Sequence, residues 1–235
     1  MNFAYYLGGE SLLTIGLVAI AAVISIFAQT SIQRAYAKYK QTESTSRLTG
    51  RQVAEKILQA NGIYDVNVVQ GTGGELSDFY DPKNKVVSLS SNIYNTNSVA
   101  AIAVASHEVG HAIQHATGYG AIALRNTILP LAIVSSKFSM LILLAGFFLS
   151  MPVLIWAGIA LYGVGGLFQL VTLPVEFDAS KRAIENIQSL AFVDQSDIPD
   201  MKKMLNAAAF TYVAAFIATI AQLLRLVLVA NRRND

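Results

Sequence analysis

The sequence has no cysteine, which excludes a disulfide framework and a zinc site built from thiolates. It is also poor in charge: 14% of its 235 residues are Asp, Glu, Lys or Arg, against about a quarter in a soluble domain. The net charge is only +2 and there is no long basic run, which argues against nucleic acid as a partner. With 54% hydrophobic residues, the chain has the composition of a protein embedded in a lipid bilayer.

Four stretches with little or no charge are long enough to cross a bilayer, which takes about 20 apolar residues in a helix. They predict transmembrane helices at 11–33, Ile128–Leu149, Val153–Leu173 and 205–229. The middle two form a hairpin over 126–175 that turns near Pro152. A cleaved signal peptide is the alternative for the first stretch, but residues 1–10 contain no Lys or Arg. A buried core helix could explain one such stretch, but not four in a chain of this size.

Two polar regions, 34–125 and 176–204, separate the predicted helices. Because the hairpin between them crosses the membrane twice, both regions must face the same side. They contain 13 of the 17 Lys and Arg residues. Cytoplasmic loops are enriched in these residues, so both regions are predicted to be cytoplasmic.

The first polar region has the pattern of a small α+β domain. Thr49 could cap a helix that ends at Gly62, and "YDVNVVQ" has the valine-rich alternation of a strand. A turn at Pro82–Asn84 leads into a second predicted strand, Val86–Ser90. The segment "SVAAIAVASHEVGHAIQHATG" then predicts a helix that ends at Gly118.

All three histidines lie on this last helix, and His107, Glu108 and His111 form the pattern H-E-x-x-H. Four residues turn a helix by about 400°, so the imidazoles of His107 and His111 project about 40° apart and can bind one zinc ion. Glu108 lies beside that face, where it could take a proton from a water bound to the zinc. The alternative is a helix with two hydrogen-bonded histidines and a surface glutamate. That alternative leaves the confinement of histidine to one helix unexplained.

His115 lies about 12 Å along the helix from His107 and about 80° round it, so it cannot reach the same tetrahedral ion. It is predicted to lie at an interface, or to hydrogen-bond to a metal ligand without binding the metal itself.

A catalytic zinc site has three protein ligands and leaves a position to water. Since no histidine remains, the third ligand must be a carboxylate. Glu176 is the candidate, because it follows the third predicted span on the same side as the motif. Pro174 would begin the helix that carries Glu176. The alternative is that Glu176 binds no metal and is favoured at this position only by the dipole at the helix N-terminus.

The stretches "HEVGHAIQH", "TLPVEFDAS", "AAAFTYVAAF" and "YDPKNKVVSLS" resemble the YugP-like family of neutral zinc metallopeptidases of bacterial membranes, from about Arg47 to Val229. More distantly, H-E-x-x-H followed by E-F-x-A resembles the gluzincin pattern of HtpX-type membrane proteases. That resemblance implies that Glu176 is the third zinc ligand. The HtpX-type group has an aspartate four residues later that supports a histidine ligand. This chain has Ser180 there, which could form a weaker hydrogen bond.

The same resemblance implies a place for the substrate. The predicted strand of Val86, Val87, Ser88, Leu89 and Ser90 would form the edge of a sheet beside the zinc, where an extended peptide could add as another strand. The alternative is an ordinary internal strand. A donor to the developing oxyanion is also needed. Tyr212, near the start of the last span, is a candidate, and Arg182 is a second one.

We therefore expect a mostly α-helical, multi-pass protein of the bacterial cytoplasmic membrane, with about four transmembrane helices and a small cytoplasmic α+β, gluzincin-like catalytic domain. The expected function is that of a zinc-dependent endopeptidase with one Zn²⁺ per chain. His107, His111 and Glu176 would be the ligands, and Glu108 the general base and then the proton donor to the leaving amine. Expected partners are the lipid bilayer, a peptide or unfolded protein substrate and a membrane-protein partner.

Two other functions are open at this point. One is a non-catalytic membrane scaffold or partner-binding protein with a structural or vestigial zinc site. A structural site is closed by four protein ligands, so the three visible ligands and the intact Glu108 favour an enzyme. The other is a zinc hydrolase that acts on a bond other than the peptide bond, and the sequence does not separate it from a peptidase.

Overall fold

The computed structural model describes residues 12–231, and these are mostly helical. Ser11, the first residue of the first predicted span, lies outside the described residues. In chain order the elements are α1 (Leu12–Tyr39), α2 (Gly50–Ala60), β1 (Asn67–Gln70), β2 (Phe79–Asp81), β3 (Val86–Leu89), α3 (Ser91–Tyr94), α4 (Val99–Ala116), α5 (Gly120–Phe148), α6 (Pro152–Ser189) and α7 (Ile198–Asn231).

The described residues divide into two compact units. The helical unit comprises residues 12–28, 124–173 and 211–231, and the mixed unit comprises residues 29–123 and 174–210. The mixed unit contains the sheet, α2, α3, α4 and the polar ends of the long helices. Every side chain of the H-E-x-x-H motif belongs to it.

Among the described residues, α1, α5, α6 and α7 are long and apolar enough to cross a membrane, and each overlaps one of the four predicted spans. Many large apolar side chains of the helical unit are exposed, as on Val23, Leu141 and Val153. An apolar surface of this extent suits contact with lipid. Two of the helices, α5 and α7, begin several residues before the predicted spans, because a helix can continue beyond its apolar part.

The helix α6 passes through Pro174 without a break and carries Glu176 in its interior. The prediction that Pro174 begins a helix is therefore wrong. A proline removes one intrahelical hydrogen bond, and the 38-residue helix retains its bonds on both sides of that gap. Because Glu176 is far from any helix N-terminus, a helix dipole does not account for its position.

The sheet has three strands in the order β1-β3-β2, with β1 parallel and β2 antiparallel to β3. Because β3 is paired on both sides, the prediction that Val86–Ser90 forms an exposed edge is wrong. The neighbour that sequence reasoning missed is β2, a strand of only three residues. Asp81 ends it, and the Asp81 carboxylate accepts hydrogen bonds from the backbone N–H groups of Lys83 and Asn84 in the predicted turn.

The ends of α2 and α4 agree with their predicted signals. Thr49 caps α2 in a capping box with Gln52, and Gly62 follows that helix with φ +70°. In α4, the side chain of Ser98 accepts a hydrogen bond from the N–H of Ala101, and Gly118 follows the helix with φ +65°. These caps fix where each helix begins and ends.

The core of the mixed unit surrounds α4. Its buried members come from β3 and from every helix except α5, and they include Val53, Ile57, Val87, Leu89, Ile102, Val109 and Ile187. The first half of α4 is thereby held on several sides by apolar contacts. Its second half, which carries the histidines, is held against α6.

Candidate metal centre

The helices α4 and α6 approach each other closely at Gly110, inside the H-E-x-x-H motif. A Cβ atom at Gly110 would lie 2.5 Å from the backbone oxygen of Ala179, far inside van der Waals contact. Glycine at this position therefore lets the motif face of α4 meet α6. Glu176 lies three residues before Ala179, about one helical turn, and so reaches the same contact.

Three side chains converge at this contact. The carboxylate oxygen Oε2 of Glu176 lies 3.4 Å from Nε2 of His107 and 3.7 Å from Nε2 of His111. The three ligand atoms all lie within 4.8 Å of one another, and Glu176 is only 3% exposed. Two ligand atoms on a tetrahedral zinc ion with bonds of about 2.1 Å stand about 3.4 Å apart. These residues therefore fit one zinc ion, and among residues 12–231 no further His, Cys, Asp or Glu joins the group.

The outer ring nitrogens of the two histidines have partners on both helices. Nδ1 of His107 lies 3.1 Å from Oγ of Ser180, on α6, and Nδ1 of His111 lies 3.0 Å from Oε1 of Gln114, on α4. In both rings Nε2 is thus the nitrogen that faces Glu176. Sequence reasoning missed Gln114, although its place three residues after His111 on one helix was a usable signal.

Glu108 is the carboxylate that stands beside this group without joining it. Its side chain is 8% exposed and forms no hydrogen bond with any residue in the described part of the chain. Burial raises the pKa of the Glu108 carboxyl, whereas the nearby imidazoles of His107 and His111 act to lower it. A carboxylate that is close to the ligands and not engaged elsewhere is suited to accept and return a proton.

The remaining predicted residues lie elsewhere. His115 is exposed, and its Nδ1 lies 3.1 Å from Oη of Tyr80 on β2, outside the ligand group. Tyr212 is on α7 in the helical unit. The guanidinium of Arg182 is engaged away from the histidines, with Nε 2.6 Å from Oδ2 of Asp178 and the group above the ring of Tyr119.

Comparison with known proteins identifies the family of the chain. A family model described as "Putative neutral zinc metallopeptidase" matches residues 14–231. The "Putative membrane protease YugP" of Bacillus subtilis (strain 168) is 43% identical over 224 residues, which are 95% of this chain and 99% of that protein. No solved structure matches the chain. The chain thus belongs to the family of neutral zinc metallopeptidases that its motif stretches resemble, and it is a membrane protein of that family.

Proposed function

We propose that the protein is an integral-membrane, zinc-dependent endopeptidase with a gluzincin-like site. The observation that carries this proposal is the convergence of His107, His111 and Glu176 beside the free carboxylate of Glu108. His107 and His111 would bind the ion through Nε2 and Glu176 through a carboxylate oxygen. A bound zinc ion acts as a Lewis acid and lowers the pKa of a coordinated water to about 7.

Glu108 is the proton carrier of the proposed reaction. Its carboxylate accepts a proton from the attacking water, whose oxygen then bonds to the carbonyl carbon of the peptide. The C–N bond breaks as Glu108 delivers that proton to the departing amine nitrogen. Water is the nucleophile, so no covalent acyl-enzyme forms. Arg182 is engaged with Asp178, and Tyr212 stays a prediction from the sequence as the donor to the oxyanion.

The substrate is proposed to be an extended peptide or an unfolded segment of a protein. Both β1 and β2 are outer strands of the sheet, and β2 is the one proposed to pair with the substrate because it contacts the helix of the motif. The hydrogen bond between Tyr80 and His115 joins β2 to the last turn of α4, the helix of the motif. A peptide added along β2 would use backbone hydrogen bonds, which tolerate many side chains.

The active site is proposed to face the cytoplasm of a bacterium, because the two polar regions carry most of the Lys and Arg residues.

The alternative function, a scaffold with a structural zinc site, is less well supported. Such a site needs a fourth protein ligand, and the ligand group found in residues 12–231 has three members.

The deciding experiment combines metal analysis with hydrolysis. The full chain is purified in detergent, dialysed with and without a chelator, and incubated with a denatured, fluorescently labelled protein. We expect one zinc per chain, cleavage that stops after chelation, and recovery when zinc is returned. One retained zinc without any cleavage would favour the structural site. A chain that binds no zinc would contradict the ligand assignment itself.

A further inference from the structure

Gln114 occupies a fully buried position beside the proposed ligand His111, and all of its polar atoms have partners. Its Oε1 lies 3.0 Å from Nδ1 of His111. Its Nε2 lies 2.7 Å from the backbone oxygen of Val175 and 2.9 Å from Oδ2 of Asp178. One amide group on α4 therefore connects the histidine to two acceptors on α6.

The orientation of this amide is determined by its partners. The nitrogen of a primary amide has two hydrogens to donate, and a backbone oxygen and a carboxylate can only accept. If the amide were rotated by 180°, its oxygen would face those two acceptors, and only one of its two buried N–H groups would have an acceptor, at Nδ1 of His111. An unsatisfied buried donor costs about 1–3 kcal/mol. Oε1 of Gln114 must therefore face His111, where it can only accept a hydrogen bond.

Asp178 is in turn held as an acceptor. Its Oδ2 accepts hydrogen bonds from both Gln114 and Nε of Arg182, the latter at 2.6 Å. The guanidinium of Arg182 also lies above the ring of Tyr119, 5.7 Å from its centre. Arg182 and Asp178, four residues apart on α6, form an ion pair. A continuous chain of contacts thus runs from Tyr119 to His111.

We propose that Gln114 is a positioning residue that fixes the tautomer of His111. Oε1 of Gln114 only accepts and lies 3.0 Å from Nδ1, within hydrogen-bond distance, whereas the nearest Glu176 oxygen lies 3.7 Å from Nε2. The proton of the neutral ring is therefore on Nδ1, which leaves the lone pair on Nε2. A histidine binds a metal ion through such a lone pair. His107 lacks this control, because the hydroxyl of Ser180 can donate or accept and so suits either tautomer.

This inference rests on the proposed function, since it takes His111 as a metal ligand, but it can be tested in the metal-free protein. The chain has only three histidines, so ¹⁵N-histidine labelling yields a small set of ring signals that single replacements can assign. At a pH where the rings are neutral, we expect His111 of the unchanged protein to carry its proton on Nδ1. A proton on Nε2 of His111 would overturn the proposal, and this measurement needs no variant.

The variant Gln114→Leu has a similar size and removes every one of these hydrogen bonds. We expect it to retain its fold, to lose the single tautomer of His111, and to bind zinc about 10–100-fold more weakly in competition with a chelator. Gln59→Leu, on the exposed face of α2, is the matched control and should leave both properties unchanged. A folded Gln114→Leu with unchanged tautomer and affinity would refute the role of Gln114.

A third variant, Asp178→Ala, serves if Gln114→Leu does not fold. It leaves Val175 as an acceptor for the amide, so we expect a smaller loss of zinc affinity in the same direction. Unchanged affinity in Asp178→Ala would contradict the anchoring role of Asp178. Failure of the proposed function remains distinguishable, because a protein that binds zinc but hydrolyses nothing would still show the tautomer of His111.

Discussion

At the residue scale, the proposed site assigns metal binding and proton transfer to two different side chains that are neighbours in the sequence. His107 points its Nε2 towards Glu176, whereas the next residue, Glu108, stands outside the ligand group with its carboxylate free among the described residues. The two functions should therefore respond separately to substitution. Two predictions follow from this separation.

We expect Glu108→Gln to retain zinc and to lose hydrolysis by about 10²–10⁴-fold, the usual contribution of a general acid–base group. The amide has nearly the same size as the carboxylate but cannot accept the proton. Zinc content after dialysis and the rate of cleavage of a denatured protein are measured together. Cleavage at the rate of the unchanged protein would contradict the assigned mechanism, whereas loss of zinc would mean that Glu108 is a ligand.

We expect Glu176→Ala to weaken zinc binding strongly and His115→Ala to leave it nearly intact. Glu176 supplies one of the three converging atoms, and its loss leaves two imidazoles only. His115 is exposed and bonded to Tyr80, so it serves as the matched control on the same helix as the motif. Metal analysis after dialysis decides between them. Full zinc content in Glu176→Ala, or its loss in His115→Ala, would reverse the assignment.

At the scale of secondary-structure elements, the site depends on how closely α4 packs against α6. The contact of Gly110 with the backbone of Ala179 leaves no room for a side chain. Because a backbone oxygen cannot move aside as a flexible side chain can, a larger residue must push the two helices apart. His107 and His111 would then move away from Glu176.

Gly110→Ala is therefore expected to destabilise the protein by about 1–3 kcal/mol, as overpacking does in other cores, and to reduce its zinc affinity. Gly120→Ala is the control, because a Cβ at Gly120 has nothing within 4 Å. Thermal unfolding in detergent and chelator competition measure the two effects. If Gly110→Ala matched Gly120→Ala in both, the close approach would not be needed for the site.

The sheet leads to a second prediction at this scale. We expect at least one of Phe79→Pro and Tyr80→Pro to raise KM sharply with zinc retained, since one of two successive N–H groups points away from β3. Tyr80→Phe separates this effect from loss of the bond to His115. Val87→Pro, in the central strand, should instead lower stability. Kinetics with a peptide substrate would exclude β2 as the platform if neither variant changed KM.

The sequence predicted some of these elements better than others, for physical reasons. Strong local signals, such as Thr49, Gly118 and the long apolar stretches, predicted the ends of α2 and α4 and the four long helices. The strand β2 was missed because three residues are too few to show alternation, and its absence made β3 look like an edge. Pro174 was misleading, because the preference of proline for the first turn of a helix did not prevent α6 from continuing on both sides of it.

For the candidate site, the sequence predicted the two histidines and the chemical class of the third ligand, but not the contacts around them. The spacing within H-E-x-x-H places His107 and His111 together on any helix. The third histidine, His115, lies too far along that helix, so the third ligand must be a carboxylate. No local pattern shows the crossing of α4 and α6, because it joins segments that are distant in the chain. The contacts of Gln114 with Val175 and Asp178 depend on that crossing, and so they are visible only in the structure.

At the scale of the whole molecule, the distribution of charge bears on orientation. The loop that follows β1 and the turn between α5 and α6 are separated by α5, one of the four helices that could span a membrane. The two polar regions carry most of the Lys and Arg residues. The positive-inside rule then predicts that this loop is cytoplasmic and that the turn faces outwards.

Cysteine labelling can test this orientation, because the chain has no cysteine of its own. Thr72 is exposed in the loop after β1, and Met151 is exposed in the turn between α5 and α6. With a membrane-impermeant thiol reagent on intact cells, we expect labelling of Met151→Cys and none of Thr72→Cys until the cells are opened. The reverse pattern would place the active site outside the cell.

The position of Glu176 on α6 also has a consequence for biosynthesis. His107 and His111 lie on α4, and the ribosome must make α5 and nearly two thirds of α6 before it reaches Glu176. Val175 and Asp178, which hold Gln114, emerge at the same late stage. A nascent chain therefore has two of the three proposed ligands and lacks the third until the hairpin of α5 and α6 is nearly complete. If the proposed function holds, delayed assembly of this kind would keep the site incomplete, and the protein inactive, while its own segments are still unfolded.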